Sequence, residues 1–230
     1  MLDPMTLSAL DWWAEAGVDT LVDEAPRNWL APAAAASPPA PVAAAPAAPA
    51  ALPADLAAFR AFLLADAAVP GPVAGRIDAT GDPAIGTMLV PDMPERGDRA
   101  SGRLLSGEAG ALFDRMLAAM KLGRDAVYLA PFSPARPASG RLEAGEIEAL
   151  ARLMRHHLAL VAPRRLLLMG DAPARALIGI PLAEAQGKVH SLTIGDAAVP
   201  VVAIVHPRTL DRQPEHKRAA WADLQRFMAL

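Results

Sequence analysis

A chain of 230 residues with a formal net charge of −3 and no cysteine is neither a polycation nor a disulfide-stabilised protein, and it cannot supply a thiolate nucleophile or a thiolate-bound metal. Hydrophobic residues make up 53% of the chain, but much of that share is alanine and only 4% is aromatic. The opening Met-Leu-Asp-Pro does not resemble a signal peptide, and no apolar run approaches the roughly 20 residues that span a bilayer, so we expect a cytoplasmic protein.

Residues 1–30 predict a short N-terminal helical segment. Thr6 suits the N-cap of an amphipathic helix that runs to about Val18. Trp12 and Trp13 are conspicuous in a chain with so few aromatics, and they either pack on the main domain or anchor a partner protein. The acidic residues of this segment outnumber its single basic residue, Arg27; they are Asp3, Asp11, Glu15, Asp19, Asp23 and Glu24.

Residues 31–53 consist almost entirely of alanine and proline. The recurrent prolines exclude a regular helix, and nothing in the stretch can form a core, so we predict a disordered, semi-stiff linker. In an extended form at about 3.1 Å per residue it could reach roughly 70 Å. It would connect the N-terminal segment to a folded domain of residues 54–230.

In that domain, short apolar runs alternate with amphipathic segments. Helices are predicted over Ala54–Ala65, Gly107–Lys121, Glu143–Val161, Ala172–Ile178 and Glu215–Met228, and strands over Thr87–Val90, Ala126–Ala130, Arg165–Met169 and Pro200–Val205, with Val189–Ile194 as a candidate for a further strand. This order is typical of an α/β three-layer sandwich with a mostly parallel central sheet. Functional residues are then expected in the loops at the carboxyl ends of the strands.

Several segments, in one order along the chain, match a known family. They are Pro91-Asp92-Met93-Pro94-Glu95, Gly102-Arg103-Leu104-Leu105-Ser106-Gly107-Glu108-Ala109-Gly110 leading into Leu112-Phe113-Asp114, Arg136-Pro137, Ala174-Arg175-Ala176-Leu177, and His206-Pro207 followed by Lys217-Arg218-Ala219-Ala220-Trp221. From about Gly81 to the C-terminus the chain resembles the iron–sulfur (family 4) uracil-DNA glycosylases. The resemblance implies a uracil-DNA-glycosylase-like fold.

The resemblance also implies the roles of four positions. Asp92 corresponds to the acidic residue that positions water, and His206 to the histidine that stabilises the departing uracil anion, so these two are the predicted catalytic residues. Leu105 replaces the aromatic that stacks on uracil. Pro131 replaces the asparagine that reads the polar edge of the base, and proline has neither a side-chain amide nor a backbone N–H. Leu105 and Pro131 are therefore a degenerate substrate-binding pair, and Glu95 replaces the glycine that closes the first turn.

An iron–sulfur cluster, which the resemblance would imply, needs four thiolates. Two of the family's cysteine positions fall at Ala135 and Leu150, and the other two fall near residues 65–70, where there is no cysteine either. We therefore expect no iron–sulfur cluster, no other cofactor and no metal site. His156 and His157 are adjacent on a predicted helix and point apart, so we expect both to be solvated.

Five arginines are candidate contacts to DNA phosphates. Arg96, Arg99 and Arg103 are spaced along the first loop, and Arg208 and Arg212 follow His206. The alternative is that they are ordinary surface charge.

Three hypotheses for function remain open. The first is a superfamily member that acts in DNA repair or replication, with uracil excision weakened or lost and the domain kept for DNA or protein binding. The second is an active, divergent glycosylase that hydrolyses the N-glycosidic bond of uracil or another damaged base. The third is a clamp-loader accessory subunit of the psi type, which the chain resembles at Leu10-Asp11-Trp12, Leu89–Pro94 and Ala219-Ala220-Trp221.

The expected partners are DNA and a replication or repair protein. In the psi-like hypothesis Trp12 and Trp13 would anchor that protein, because buried aromatics commonly dominate interface energy. The chain would then act as a monomer or as part of a hetero-complex.

Overall fold

The computed structural model describes Trp12 and residues 51–230. Trp12 is helical and 62% exposed, whereas Trp13, the rest of the predicted N-terminal helix and almost all of the predicted linker lie outside the described residues. Residues 51–230 form one folded unit.

A five-stranded sheet lies at the centre of this unit. Its strands are β1 (Thr87–Pro91), β2 (Tyr128–Leu129), β3 (Arg165–Met169), β4 (His190–Ile194) and β5 (Ala197–Ile204), in the spatial order β2-β1-β3-β5-β4. Strands β2, β1, β3 and β5 are parallel, and β4 pairs with β5 in the antiparallel sense. The mostly parallel sheet that the sequence predicted is confirmed, and the candidate strand before residue 195 is present.

Helices cover both faces of the sheet. They are α1 (Leu56–Ala65), α2 (Asp98–Ser101), α3 (Gly107–Ala119), α4 (Ala144–Val161), α5 (Asp171–Ile178), α6 (Leu182–Ala185), α7 (Pro207–Arg212) and α8 (Lys217–Met228). Helix α4 packs its apolar stripe on one face, whereas α3 and α8 pack on the other, which gives the three predicted layers. None of the described helices is both long enough and apolar enough to cross a membrane.

The first residues of two predicted elements form 3₁₀ turns instead. The turn Arg124–Ala126 takes up the predicted start of β2, which spans Tyr128–Leu129, and the turn Pro214–His216 delays the start of α8 to Lys217. Proline at the first position of the second turn favours this tight geometry, because it has no N–H to lose.

The expectation for His157 was wrong. Its side chain is 2% exposed, and its Nε2 lies 2.9 Å from the Tyr128 hydroxyl oxygen. Burial, with a smaller contribution from the nearby Arg60 guanidinium, lowers the pKa of His157 to about 4, so the ring is neutral at physiological pH. The reason is helical spacing: His157 falls on the buried stripe of α4 with Leu150, Leu153, Met154 and Leu158.

Candidate active site

The carboxyl ends of β1, β3 and β5 bring three chain segments together. Asp92 follows β1, Gly170 follows β3, and the segment after β5 carries His206. A Cβ on Gly170 would lie 3.3 Å from the Asp92 Cβ, and the φ of Gly170 is +118°. Glycine is therefore needed at this position, because any larger residue would be strained and would crowd the aspartate. The two predicted catalytic residues thus occupy one site.

The hydrogen bonds of His206 determine which of its ring nitrogens carries the proton toward Asp92. Its Nδ1 accepts a hydrogen bond from the backbone N–H of Arg208 at 3.2 Å, which caps α7. In the neutral ring the proton is therefore on Nε2. Nε2 lies 3.5 Å from Asp92 Oδ1 and has no hydrogen-bond partner among the described residues.

Burial decides the charge of the histidine. His206 is 2% exposed, and burial lowers its pKa well below the ordinary value of 6.5, with the Arg208 and Arg136 guanidinium groups acting in the same direction. A neutral imidazole can donate a hydrogen bond from Nε2 to a developing anion, but it supplies no positive charge of its own.

Asp92 is also largely withdrawn from water, with 8% of its surface exposed. Burial raises its pKa, and the adjacent Arg208 and a hydrogen bond at 2.7 Å from the Met93 N–H oppose that rise. Its backbone oxygen accepts from the Ser133 N–H at 2.9 Å, which ties the loop after β1 to the loop after β2.

The side chain of Arg208 closes the site. Its Nη2 pairs with Asp92 Oδ2, and its Nη1 donates to Glu95 Oε1 at 2.8 Å. Glu95 Oε1 also lies 3.7 Å from His206 Nδ1. The guanidinium therefore lies between two carboxylates, with 20% of the side chain exposed. Arg208 was predicted to contact DNA, and in this arrangement its charge is balanced inside the protein.

A buried aspartate that sequence reasoning missed holds the first loop in place. Asp98 is fully buried and accepts hydrogen bonds from the backbone N–H groups of Glu95 at 2.8 Å, Leu105 at 2.9 Å and Ser106 at 2.7 Å. It thereby fixes both Glu95 and the strained Leu105, whose φ is +51°. An aspartate in a run of charged, exposed neighbours gives no sequence signal of burial.

The two degenerate substrate-binding positions face the protein interior. Leu105 is buried in the apolar core between the sheet and the helices α3 and α8. Pro131 is buried and borders a cavity of about 10 Å³, which it shares with Leu63, Asp78 and His157 among others. A space of this size holds about one water molecule and cannot admit a nucleobase.

Arginines border two open cavities beside the closed site. One of about 400 Å³ is lined by Arg96, Arg136, Arg208 and Arg212, together with the first residues of α3. The other, of about 330 Å³, is lined by Arg96, Arg99 and Arg136. Arg103 is exposed and lines neither of them.

Arg136 was not among the predicted site residues, although Arg136-Pro137 is one of the segments that resemble the family. Its Nη1 donates to the Pro94 carbonyl oxygen at 3.1 Å, so the guanidinium is held at the boundary of both cavities. Carboxylates of Glu95, Glu108 and Asp211 also line the larger cavity and weaken its positive potential.

The residues present do not fit an iron–sulfur cluster. The chain has no cysteine, and Ala135 and Leu150 are buried apolar residues. The segment at residues 63–71 is held instead by the buried guanidinium of Arg76, which donates at 2.7–3.0 Å to the carbonyl oxygens of Leu63, Asp66, Val69 and Gly71. In the described part of the chain, no group of three or more His, Asp or Glu side chains is arranged to hold a metal.

Known proteins match the region that contains this site. Residues 79–225 match the family model of the uracil DNA glycosylase superfamily. The chain is 26% identical over 167 residues to a type-4 uracil-DNA glycosylase of Pyrobaculum aerophilum, a match that covers 70% of this chain and 81% of the relative. It is 24% identical over 147 residues to a type-4 uracil-DNA glycosylase of Archaeoglobus fulgidus, covering 61% and 74%.

Proposed function

Since this chain belongs to the uracil-DNA glycosylase superfamily, we propose that it acts in DNA repair or replication as a DNA-binding member in which uracil excision is weakened or lost. The observation that carries the proposal is the position of Arg208, whose guanidinium lies between Asp92 and Glu95. This closes the site that a base would have to enter.

Excision requires that a base leave the DNA stack and enter a fitted pocket. Here Asp92 and His206 are almost inaccessible, and Arg208 must leave both carboxylates before a base can reach them. Separating a buried ion pair costs about 3 kcal/mol or more, so the open form is populated at less than about one part in a hundred. The affinity of the site for a flipped base is therefore also reduced about a hundredfold or more.

Recognition of the base is weakened independently. Pro131 offers no donor to a uracil carbonyl, and Leu105 offers no aromatic face. A site that selects its substrate by hydrogen bonds loses a discrimination of about 10⁴ or more when those bonds cannot form. The closed site and the missing contacts together favour loss of excision over a change of substrate.

Contact with DNA depends on different residues. Arg96, Arg99 and Arg212 lie at the open cavities, and none of them makes an ion pair among the described residues. Guanidinium groups of this kind bind the phosphate backbone without reading sequence, and the affinity falls steeply with salt. We therefore expect binding that does not distinguish uracil from thymine.

A second candidate function is favoured by one observation. The Nε2–H of His206 faces Asp92 Oδ1 at 3.5 Å with no other partner among the described residues, which is an arrangement that could hold water and an anionic leaving group. If DNA phosphates drew Arg208 away from Asp92, the protein would be an active, divergent glycosylase. The clamp-loader hypothesis depends on Trp12 and Trp13 and stays a prediction.

DNA binding can be measured by fluorescence anisotropy with two labelled duplexes that differ only by uracil or thymine at one position. We expect equal, salt-dependent affinity for both, and weaker binding of both by an Arg96→Ala/Arg99→Ala variant. Arg152→Ala is the matched control, because Arg152 is an exposed arginine of α4 that lines neither of the two cavities. Absence of salt-dependent binding would contradict the DNA-binding proposal, and a clear preference for uracil would favour the second candidate.

A further inference from the structure

An apolar groove runs between α3 and α8 on one face of the sheet. It has a volume of about 280 Å³, and Leu210 of α7 lines it together with residues of both helices. The helix residues that line it are Leu112, Arg115, Met116, Ala119, Lys217, Ala220, Trp221 and Leu224.

On each of the two helices, the residues that line the groove lie on one helical face. On α3 they recur at positions 112, 115, 116 and 119, and on α8 at 217, 220, 221 and 224, which is the spacing of one helical face. Each helix already buries other residues on the sheet, including Phe113 and Phe227. The floor of the groove is formed by the buried residues Leu112, Leu210, Ala220 and Leu224. The apolar surface that reaches solvent is added by Met116, Ala119 and Trp221.

Trp221 is the most conspicuous residue of this surface. It is 39% exposed, in a chain with only four tryptophans. Contiguous exposed apolar surface on a folded domain commonly marks a site of protein association, and tryptophan is among the residues that contribute most to such interfaces.

The charges at the groove indicate what kind of partner fits. Arg115 on α3 and Lys217 on α8 are the charged residues of the lining, and both are cations. Neither makes an ion pair with any described residue. Both cations are exposed, so a partner that fills the groove with apolar side chains is favoured when it carries carboxylates at the edges that lie next to them.

We propose that this groove binds an acidic amphipathic helix of a partner protein. Its large apolar side chains lie between α3 and α8 against Trp221, and its carboxylates pair with Arg115 and Lys217, in the manner of a helix that docks into a hydrophobic groove. The groove shares no lining residue with the two arginine-bordered cavities, so the inference is independent of DNA binding.

The test uses the full chain and a fluorescein-labelled synthetic helical peptide with leucine and tryptophan on one face and glutamates on both flanks. A second peptide has every glutamate replaced by lysine. We expect the acidic peptide to bind and the lysine peptide not to bind. An Arg115→Glu/Lys217→Glu variant should abolish binding, and Trp221→Ala should weaken it by about tenfold or more.

Arg152→Glu is the matched control, since it reverses an exposed charge on α4 across the sheet and should leave binding unchanged. Unaltered thermal unfolding of each variant separates a lost contact from a lost fold. Equal binding of both peptides, binding that survives the double charge reversal, or no binding of the acidic peptide would overturn the proposal. It would also be overturned by a concentration-dependent dimer that Trp221→Glu abolishes, because that would assign the groove to a second copy of this chain.

Discussion

Replacing Arg208 with methionine tests the closed site directly. The substitution keeps the aliphatic stem and removes the guanidinium, so Asp92 and Glu95 face each other without a cation between them. Their side chains are only 12% and 16% exposed. Removing one partner of a buried ion pair costs about 3–5 kcal/mol. Because one-fifth of the Arg208 side chain is exposed, we expect the lower end, about 3 kcal/mol, which is a fall of about 10 °C in Tm.

The size of this loss should depend on pH in a defined direction. Burial already raises the pKa of Asp92, and Arg208 is the principal group that opposes the rise. Without Arg208 the pKa of Asp92 rises further, so its ionised form becomes the costly one. The difference in unfolding free energy between wild type and Arg208→Met is therefore largest at pH values at which Asp92 is ionised. It shrinks as the pH falls and the carboxyl group takes up a proton.

Urea unfolding at pH values above and below this titration measures both effects. Arg212→Met is the matched control, because Arg212 lies on the same helix, is exposed and has no ion pair among the described residues; we expect a change within about 0.5 kcal/mol. Adding Glu95→Gln to Arg208→Met should recover part of the loss, since it removes the repulsion between two carboxylates. A loss below about 1 kcal/mol, or one that is the same at both pH values, would refute the reasoning.

Three further predictions concern buried polar groups. The pKa of His157 is about 4 in the folded protein, below its ordinary 6.5, so its contribution to stability is full above pH 6.5 and is lost as the pH falls toward 4. When the pH is lowered from 6.5 to 4, the unfolding free energy of His157→Gln should therefore fall by about 3 kcal/mol less than that of wild type, as measured by urea unfolding. An equal fall in both proteins would contradict this prediction. Arg76→Met should cost about 3 kcal/mol and increase amide hydrogen exchange at residues 63–71, whereas unchanged exchange there would show that Arg76 does not order the segment. Asp98→Ala leaves three backbone N–H groups without their acceptor, so thermal unfolding should show a loss of about 3 kcal/mol; a loss as small as that of a surface substitution would count against its role.

The regular elements could largely be predicted from the sequence, because each has a local cause. Strand β3 forms at the predicted residues, because a short continuous apolar run is typical of a parallel strand that is buried on both faces of the sheet. Strand β5 begins three residues earlier than predicted, at Ala197. The Gly195-Asp196 pair makes a two-residue turn back from β4, and that hairpin signal is present in the sequence although the prediction did not use it.

The site could be predicted only in part. Both Asp92 and His206 follow parallel strands, whose carboxyl ends share one edge of the sheet, so the sequence pattern indicates that they lie near each other, and His206 Nε2 is 3.5 Å from Asp92 Oδ1. The bridge from Arg208 to Asp92 joins residues 116 positions apart, and no local pattern shows which of several arginines makes it. The same holds for Arg76, whose four acceptors are backbone oxygens and so have no signature in side-chain identity.

The central proposal is that uracil excision is weakened or lost in this member of the uracil-DNA glycosylase superfamily, and a uracil-release assay tests it most directly. The full chain is assayed on single-stranded and duplex DNA beside the type-4 uracil-DNA glycosylase of Archaeoglobus fulgidus. We predict release at least about a hundredfold slower than that enzyme, with any residual release lost in Asp92→Asn and in His206→Ala. Release at a comparable rate that disappears in either variant would contradict the account.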